Sequence, residues 1–191
     1  MSVPIGSPLR AALVCGSPSS TSRSKRLLDA LAIALEGHGV EHAPIDLARL
    51  SAEALLGRGR APDVDAALDV VRRAAIIAVG TPVYRATYSG LLKVFFDLLE
   101  PGALRGRVGI AVASGGSPTH QLAIEHGIAP LLASVGAAVV PTSIYGTDAL
   151  FADADLPPAL NARIARAADE AVRLASALAA EPFTLSTSVS P

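Results

Sequence analysis

The sequence predicts an α/β domain built on a doubly wound parallel sheet of about five strands, with helices on both faces. Three observations predict it. Short apolar runs alternate with helical patterns along most of the chain. The runs are continuously apolar, as strands buried on both faces are. The length, 191 residues of which 51% are hydrophobic, favours one domain with a core large enough to be covered on both sides.

AALVC (11–15) reads as a short buried strand, and 22–37 as a helix. VEHAPID (40–46) is a weaker strand in which Pro44, with no N–H for a ladder, suits an edge position. A Gly/Arg/Ala-rich connection fills 48–63, and 64–74 reads as a short helix ending in Arg72 and Arg73, where positive charge suits the carboxyl end. AAIIAVGTP (74–82) is a strand cut off by Gly80 and Pro82. SGLLKVFFDLL (89–99) is a helix with Ser89 as N-cap and Lys93/Asp97 as an i,i+4 pair. RVGIAVASGG (107–116) supplies a strand and turn, 119–135 a helix, 138–143 a strand and 157–179 a long final helix. Within 119–135, Pro130 cannot donate to the carbonyl of His126, and Gly127 loosens the same turn. A kink or an inserted-residue π-bulge is therefore expected around His126, the alternative being a kinked helix with His126 at a subunit interface. The domain is expected to span 9–180, with a flexible polar tail at 181–191.

Composition narrows the function. Sixteen Lys+Arg against seventeen Asp+Glu give a net charge of −1, without the basic footprint of a nucleic-acid binder or the acidic docking surface of a small electron carrier. Cys15 is the only cysteine, so an internal disulfide and a multi-cysteine metal centre are both excluded, and a buried strand position suits it. The chain opens without a basic region followed by a long apolar segment, and no apolar run reaches the roughly eighteen residues a membrane span needs. A cytoplasmic protein is expected. A mean hydropathy of +0.46 is high for a monomer of this size, which points to a subunit interface.

Three strands end in unusual loops, and in a parallel sheet ligands collect beyond the carboxyl ends of strands. GSPSSTSRS (16–24) offers the hydroxyls of Ser17, Ser19, Ser20, Thr21, Ser22 and Ser24, a helix N-terminus and the Arg23 guanidinium. Such a set can hold a phosphomonoester without a metal, or it is simply a capped turn. GTPVYRATYSG (80–90) adds Pro82, Tyr84, Arg85 and Tyr88, which can hold a flat polar heterocycle, or pack over the sheet edge, or meet another subunit. ASGGSP (113–118) allows close backbone approach at Gly115 and Gly116, with hydroxyls at Ser114 and Ser117 and His120 just beyond; a tight turn explains the glycines equally well. Tyr145, beyond the last strand, is placed near the same rim. The order of the three loops on one rim favours a shared site. Histidines at metalloprotease spacing, GxSxG, GxGxxG and the Walker A pattern are all absent, and no metal site is expected.

The segments GSPSSTSRS, TPVYRATYSGLLKVFFDLL and ASGGSPTHQLA resemble those of the NAD(P)H-dependent FMN reductases of the flavodoxin-like superfamily, over about residues 9–150. The appearance is nearest to the flavin-reductase components of two-component alkanesulfonate monooxygenases. The resemblance implies strand order 2-1-3-4-5 and a single FMN-binding domain. It implies a phosphate loop at Ser17, Ser22, Arg23 and Ser24, a segment beside the ribityl chain and ring at Pro82, Val83, Tyr84 and Arg85, and a loop beneath the ring at Ser114, Gly115, Gly116 and Ser117. It also implies dimers or tetramers joined through the helix after TPVY, whose Leu91, Leu92, Phe95, Phe96, Leu98 and Leu99 are independently apolar around much of its circumference. In the sulfonate-linked reductases an inserted aromatic residue separates free-flavin reductases from those that retain FMN; His126 stands at that place here.

The implied reaction is NAD(P)H + FMN + H⁺ giving NAD(P)⁺ and FMNH2, with NADPH or NADH as donor and FMN as substrate or resident cofactor. Hydride transfer belongs to the cofactors, so no essential protein nucleophile is expected; Arg85, His120 and His126 are candidates for assistance. Reduced flavin then leaves for a partner monooxygenase. The rivals are a quinone or azo reductase with tightly bound FMN, and a non-enzymatic flavodoxin-like electron carrier.

Overall fold

A computed structural model describes residues 8–180; the expected tail at 181–191 lies outside the described residues. The chain runs β1 (Arg10–Cys15), α1 (Arg23–Glu36), β2 (Glu41–Asp46), α2 (Ala52–Leu55), α3 (Pro62–Arg73), β3 (Ile76–Pro82), α4 (Gly90–Phe96) and β4 (Val108–Gly115). A π-helical turn (Ile124–Ile128) leads into α5 (Ala129–Ser134), then β5 (Ala138–Val139), β6 (Ile144–Thr147) and α6 (Pro158–Ala180). All strand pairs are parallel, in the order β2-β1-β3-β4-β5, with β6 also beside β4. The order is the flavodoxin-like one expected. Among the described residues no helix is long and apolar enough to cross a membrane.

The sixth strand corrects the expected 138–143. β5 pairs with Val108 and Gly109, β6 with Val112–Gly115, so one sheet position is shared by two short segments. Pro141 sits between them and has no N–H to give the ladder. Glu170 of α6 holds the break, accepting from Thr142 N–H at 3.0 Å and Thr142 Oγ1 at 2.7 Å.

Strand residues alternate between two cores. Ala12, Val14, Ile77, Val79, Ala111 and Ala113 face a cluster with Val64, Leu68 and Val71 of α3, Leu92, Phe95 and Phe96 of α4, and Leu131 and Leu132 of α5. Ala11, Leu13, Cys15, Ile76, Ala78, Ile110 and Val112 face the other, with Leu27, Leu31 and Leu35 of α1 and Ile164, Ala168 and Ala171 of α6. Cys15 is buried there as expected, and burial raises its thiol pKa. Both sheet faces are thus covered, and Pro44 falls on the edge strand.

Other boundaries moved for local reasons. The connection 48–63 contains a 3₁₀ turn (Leu47–Arg49) capped by Asp46 and the short α2. α3 begins two residues earlier than expected, with Pro62 in its first turn, where its missing N–H costs nothing. The expected helix 119–135 is broken into a 3₁₀ turn (Pro118–Gln121), the π-helical turn and α5. The π turn includes His126 and Gly127, as the Pro130/Gly127 pair predicts.

Candidate functional site

The three loops leave adjacent strands side by side. Cys15 is paired with Gly80, Pro82 with Ser114, and Gly115 with Thr147, so the strands end on a common rim. The loops are also bonded to one another. Gly16 N–H donates to Gly80 O at 2.8 Å, and Val83 N–H to Ser114 O at 2.8 Å. Ser89 fastens the second loop to the first. Its buried hydroxyl donates to Gly16 O and caps α4 by accepting from Leu92 N–H at 3.2 Å, while its own N–H donates to Thr81 Oγ1 at 3.0 Å.

Between the loops lies a cleft of about 290 Å³. Ser17, Ser19, Thr21, Ser22 and Arg23 line one side, Pro82, Val83 and Tyr84 another, and Ser114, Gly115 and Gly116 the third, with Asp148 at the end. Ser22 is the N-cap of α1, its hydroxyl accepting from Lys25 N–H at 3.3 Å. The first intrahelical bond runs from Arg26 N–H to Ser22 O at 3.2 Å, and with Lys25 N–H given to the cap, the N–H groups of Arg23 and Ser24 are left for another acceptor. No acidic residue stands in that turn. The donor set of hydroxyls, helix N-terminus and one guanidinium therefore fits a phosphomonoester.

On its third side the cleft is lined by glycine. A β-carbon on Gly115 would stand 2.7 Å from Tyr145 Oη, closer than real contacts allow, and a tight 3.1 Å from His120 Nδ1. Tyr145, expected near the rim, lies beneath the loop and donates its hydroxyl to Ser117 O at 2.6 Å. Burial, and secondly the Asp148 carboxylate, push its pKa above the ordinary tyrosine value. With Tyr84 about half exposed on the facing loop, a flat ring can lie between an aromatic side chain and bare backbone.

Several expected residues stand elsewhere. Ser24 is fully buried, bonded through its hydroxyl to Ser22 Oγ at 2.8 Å, and does not line the cleft. Arg85 occupies the tip of a tight turn closed by Tyr84 N–H to Thr87 O (2.8 Å) and Thr87 N–H to Tyr84 O (3.1 Å). Arg85 and Ala86 have φ of 49° and 67°, a left-handed pair that carries Arg85 out to solvent. Ser117 caps the following 3₁₀ turn, its hydroxyl accepting from Thr119 N–H at 3.4 Å, and does not line the cleft. His120 is exposed beside Gly115, and His126 is exposed on the π turn. That turn nonetheless touches the second loop, because a β-carbon on Gly127 would lie 2.8 Å from Thr87 Oγ1 and 3.0 Å from the Tyr88 ring.

Asp148 is the lining residue that sequence reasoning missed. Its carboxylate is 2.9 Å from Arg23 Nη1, a pairing across the fold that no local pattern signals. Among the described residues no group of three or more His, Cys, Asp or Glu is arranged to hold a metal ion.

Similarities to known proteins extend over most of the chain. Residues 9–150 match the family described as NADPH-dependent FMN reductase. A relative from Pseudomonas fluorescens Pf0-1, NADH-dependent FMN reductase SfnF, is 36% identical over 172 residues, 87% of this chain and 92% of its own. FMN reductase (NADPH) of Pseudomonas aeruginosa is 34% identical over 173 residues, 88% of this chain and 93% of its own. Among solved structures, the apo form of an NADH:FMN oxidoreductase (EMOB) superposes with a TM-score of 0.82 at 31% identity, covering 92% of this chain and 93% of that one. A flavodoxin from Streptococcus pneumoniae, at TM-score 0.59 and 18% identity over 86% of this chain and 98% of its own, shares the fold.

Proposed function

The chain belongs to the NADPH-dependent FMN reductase family, and from that premise we propose that the three-loop cleft is its flavin site and that reduced flavin is released to a flavin-dependent monooxygenase. Its activity is the NAD(P)H-dependent reduction of FMN. Bound FMN supplies the hydride-accepting ring; the protein supplies position and charge. Ser17, Ser22 and Arg23 hold the phosphate, with the N–H groups of Arg23 and Ser24 at the start of α1 as further donors. Pro82, Val83 and Tyr84 border the ring and its chain, and Ser114, Gly115 and Gly116 form its floor. Ser24 and Ser117 support these residues from behind. Arg85, exposed at the tip of the second loop, and His120, exposed beside Gly115, meet the second substrate.

The observation that carries this reading is the convergence of a phosphate-type donor set, an aromatic side chain and a glycine floor on one cleft. The open mouth and half-exposed Tyr84 suit a flavin that comes and goes. Resemblance to the reductase components of alkanesulfonate monooxygenases supports an acceptor that works in sulfonate-sulfur assimilation, in the cytoplasm.

The test is the initial rate of NADH and NADPH oxidation by flavin-stripped protein as FMN is titrated, repeated with trace FMN and excess quinone. Saturation in FMN well beyond one equivalent, with little gain from quinone, is expected of a reductase that exports its flavin. A rate maximal at one FMN per chain and sustained only by quinone would make FMN a resident cofactor and remove the monooxygenase partner.

A further inference from the structure

Asp148 comes directly after β6, whose last residue, Thr147, is paired with Gly115. Its Oδ1 meets Arg23 Nη1 at 2.9 Å, and its Oδ2 lies 3.8 Å from where a β-carbon on Gly116 would stand. The carboxylate therefore sits between the helix N-terminus and the glycine floor. Among the described residues that line the cleft, Arg23 carries the one guanidinium. The group best suited to a phosphate dianion is thus engaged with an internal anion.

This pair is not needed to fasten the segment after β6. Arg26 already does that, donating to the carbonyls of Phe151 (3.3 Å), Asp153 (2.9 Å) and Ala154 (2.7 Å), with its guanidinium 5.3 Å from the Phe151 ring centroid. Both members of the Arg23–Asp148 pair are about half exposed, so the pair opens at modest cost.

We propose that Asp148 is a specificity-determining positioning residue: it competes with the flavin phosphate for Arg23 and so keeps FMN weakly held. This rests on the reading of the first loop as the phosphate site. FMN binding exchanges one ion pair for another instead of adding one, so the phosphate contributes less to affinity than an unpaired Arg23 would allow. Riboflavin, without a phosphate, does not compete with Asp148. The carboxylate thus narrows the affinity difference between the two flavins and speeds the loss of the phosphorylated one.

Fluorescence titration of flavin-stripped protein with FMN and with riboflavin tests this, on the native chain, D148N, D148E, R23A and the R23A/D148N double variant. D148N is expected to tighten FMN by about two- to fivefold, the size of a half-exposed ion pair, and to leave riboflavin unchanged within error. D148E is expected to behave as the native chain, R23A to loosen FMN alone, and the gain from D148N to shrink on the R23A background. An FMN affinity unchanged in D148N, with R23A still selective for FMN, overturns the role of Asp148 and leaves the phosphate site standing. A D148N gain that persists undiminished without Arg23 shows direct repulsion and overturns competition for the guanidinium. Equal loosening of both flavins by R23A overturns the phosphate site, and this proposal with it.

Discussion

At the scale of the residue, Tyr145 shows how the floor of the cleft depends on one proton. Its hydroxyl donates to Ser117 O at 2.6 Å, and ionisation would replace that donor by an anion near Asp148. The native pKa is raised, whereas an unfolded tyrosine titrates near about 10. The unfolded chain therefore releases this proton first as pH rises. The stability that depends on neutral Tyr145 is complete below about pH 10 and is lost as pH climbs from there through the native pKa. Urea midpoints measured from neutral pH to pH 11 are expected to fall above about pH 10, and Tyr145→Phe to lessen that fall. Identical slopes for the two proteins would show that Tyr145 contributes nothing to alkaline sensitivity. Cys15, also raised by burial, titrates from its own lower starting value and is common to both. Residue identity was only partly legible in the sequence. A hydroxyl-rich loop before a helix announces an N-cap, but not that Ser22 faces the cleft while Ser24 is buried behind it. Asp148 was invisible, because its partner Arg23 belongs to another element brought near only by the closing of the sheet.

At the scale of the element, the π turn is a local defect with a distant contact. One extra residue per turn disturbs the α ladder, and the residues beyond it are shifted along the helix. Here Gly127 is set against Thr87 and Tyr88, so the second loop rests on the widened turn. Deleting His126 removes the extra residue and is expected to restore α register, tighten the packing over the cleft, and increase the flavin that survives gel filtration. Flavin content unchanged in a variant with native circular dichroism would sever the π turn from flavin retention. The defect was legible because its causes are local: Pro130 lacks a donor, and Gly127 tolerates an irregular backbone. Elements stabilised from afar were not legible. α2 comes after a serine held by Asp63, which accepts from Ser51 N–H at 2.8 Å and Ser51 Oγ at 3.0 Å, and these bonds, led by that of the N–H, lower the Asp63 pKa. The split of the fifth sheet position likewise depends on Glu170 meeting Thr142 across the fold.

At the scale of the molecule, strand order and covered faces were legible from alternation and continuous apolar runs, since a parallel sheet must bury both sides. Association is a further matter. The apolar residues of α4 and the turn after it are largely accounted for within the chain, because Leu92, Phe95, Phe96 and Leu99 are buried in the core. Leu91, Val94 and Leu98 are only partly buried against the same core. Leu91 and Val94 lie on α4 and Leu98 in the turn after it, and pairing of this segment with its own copy across a two-fold axis would bury them further. We therefore propose that this face joins chains into a dimer or tetramer, and that pairing there steadies the loop carrying Tyr84. Sedimentation of the 19.4 kDa chain at micromolar concentration is expected to give a multiple of that mass. The double variant Leu91→Ser/Leu98→Ser is expected to sediment as the single chain with unchanged circular dichroism, and to bind FMN several-fold more weakly because the second loop is no longer braced. A native protein that sediments as one chain would end the proposal of a shared interface. A double variant that still associates would move the interface off α4, and Tyr84 would then be held in place from within the chain, by Ser89 on the Gly16 carbonyl and Val83 N–H on Ser114 O.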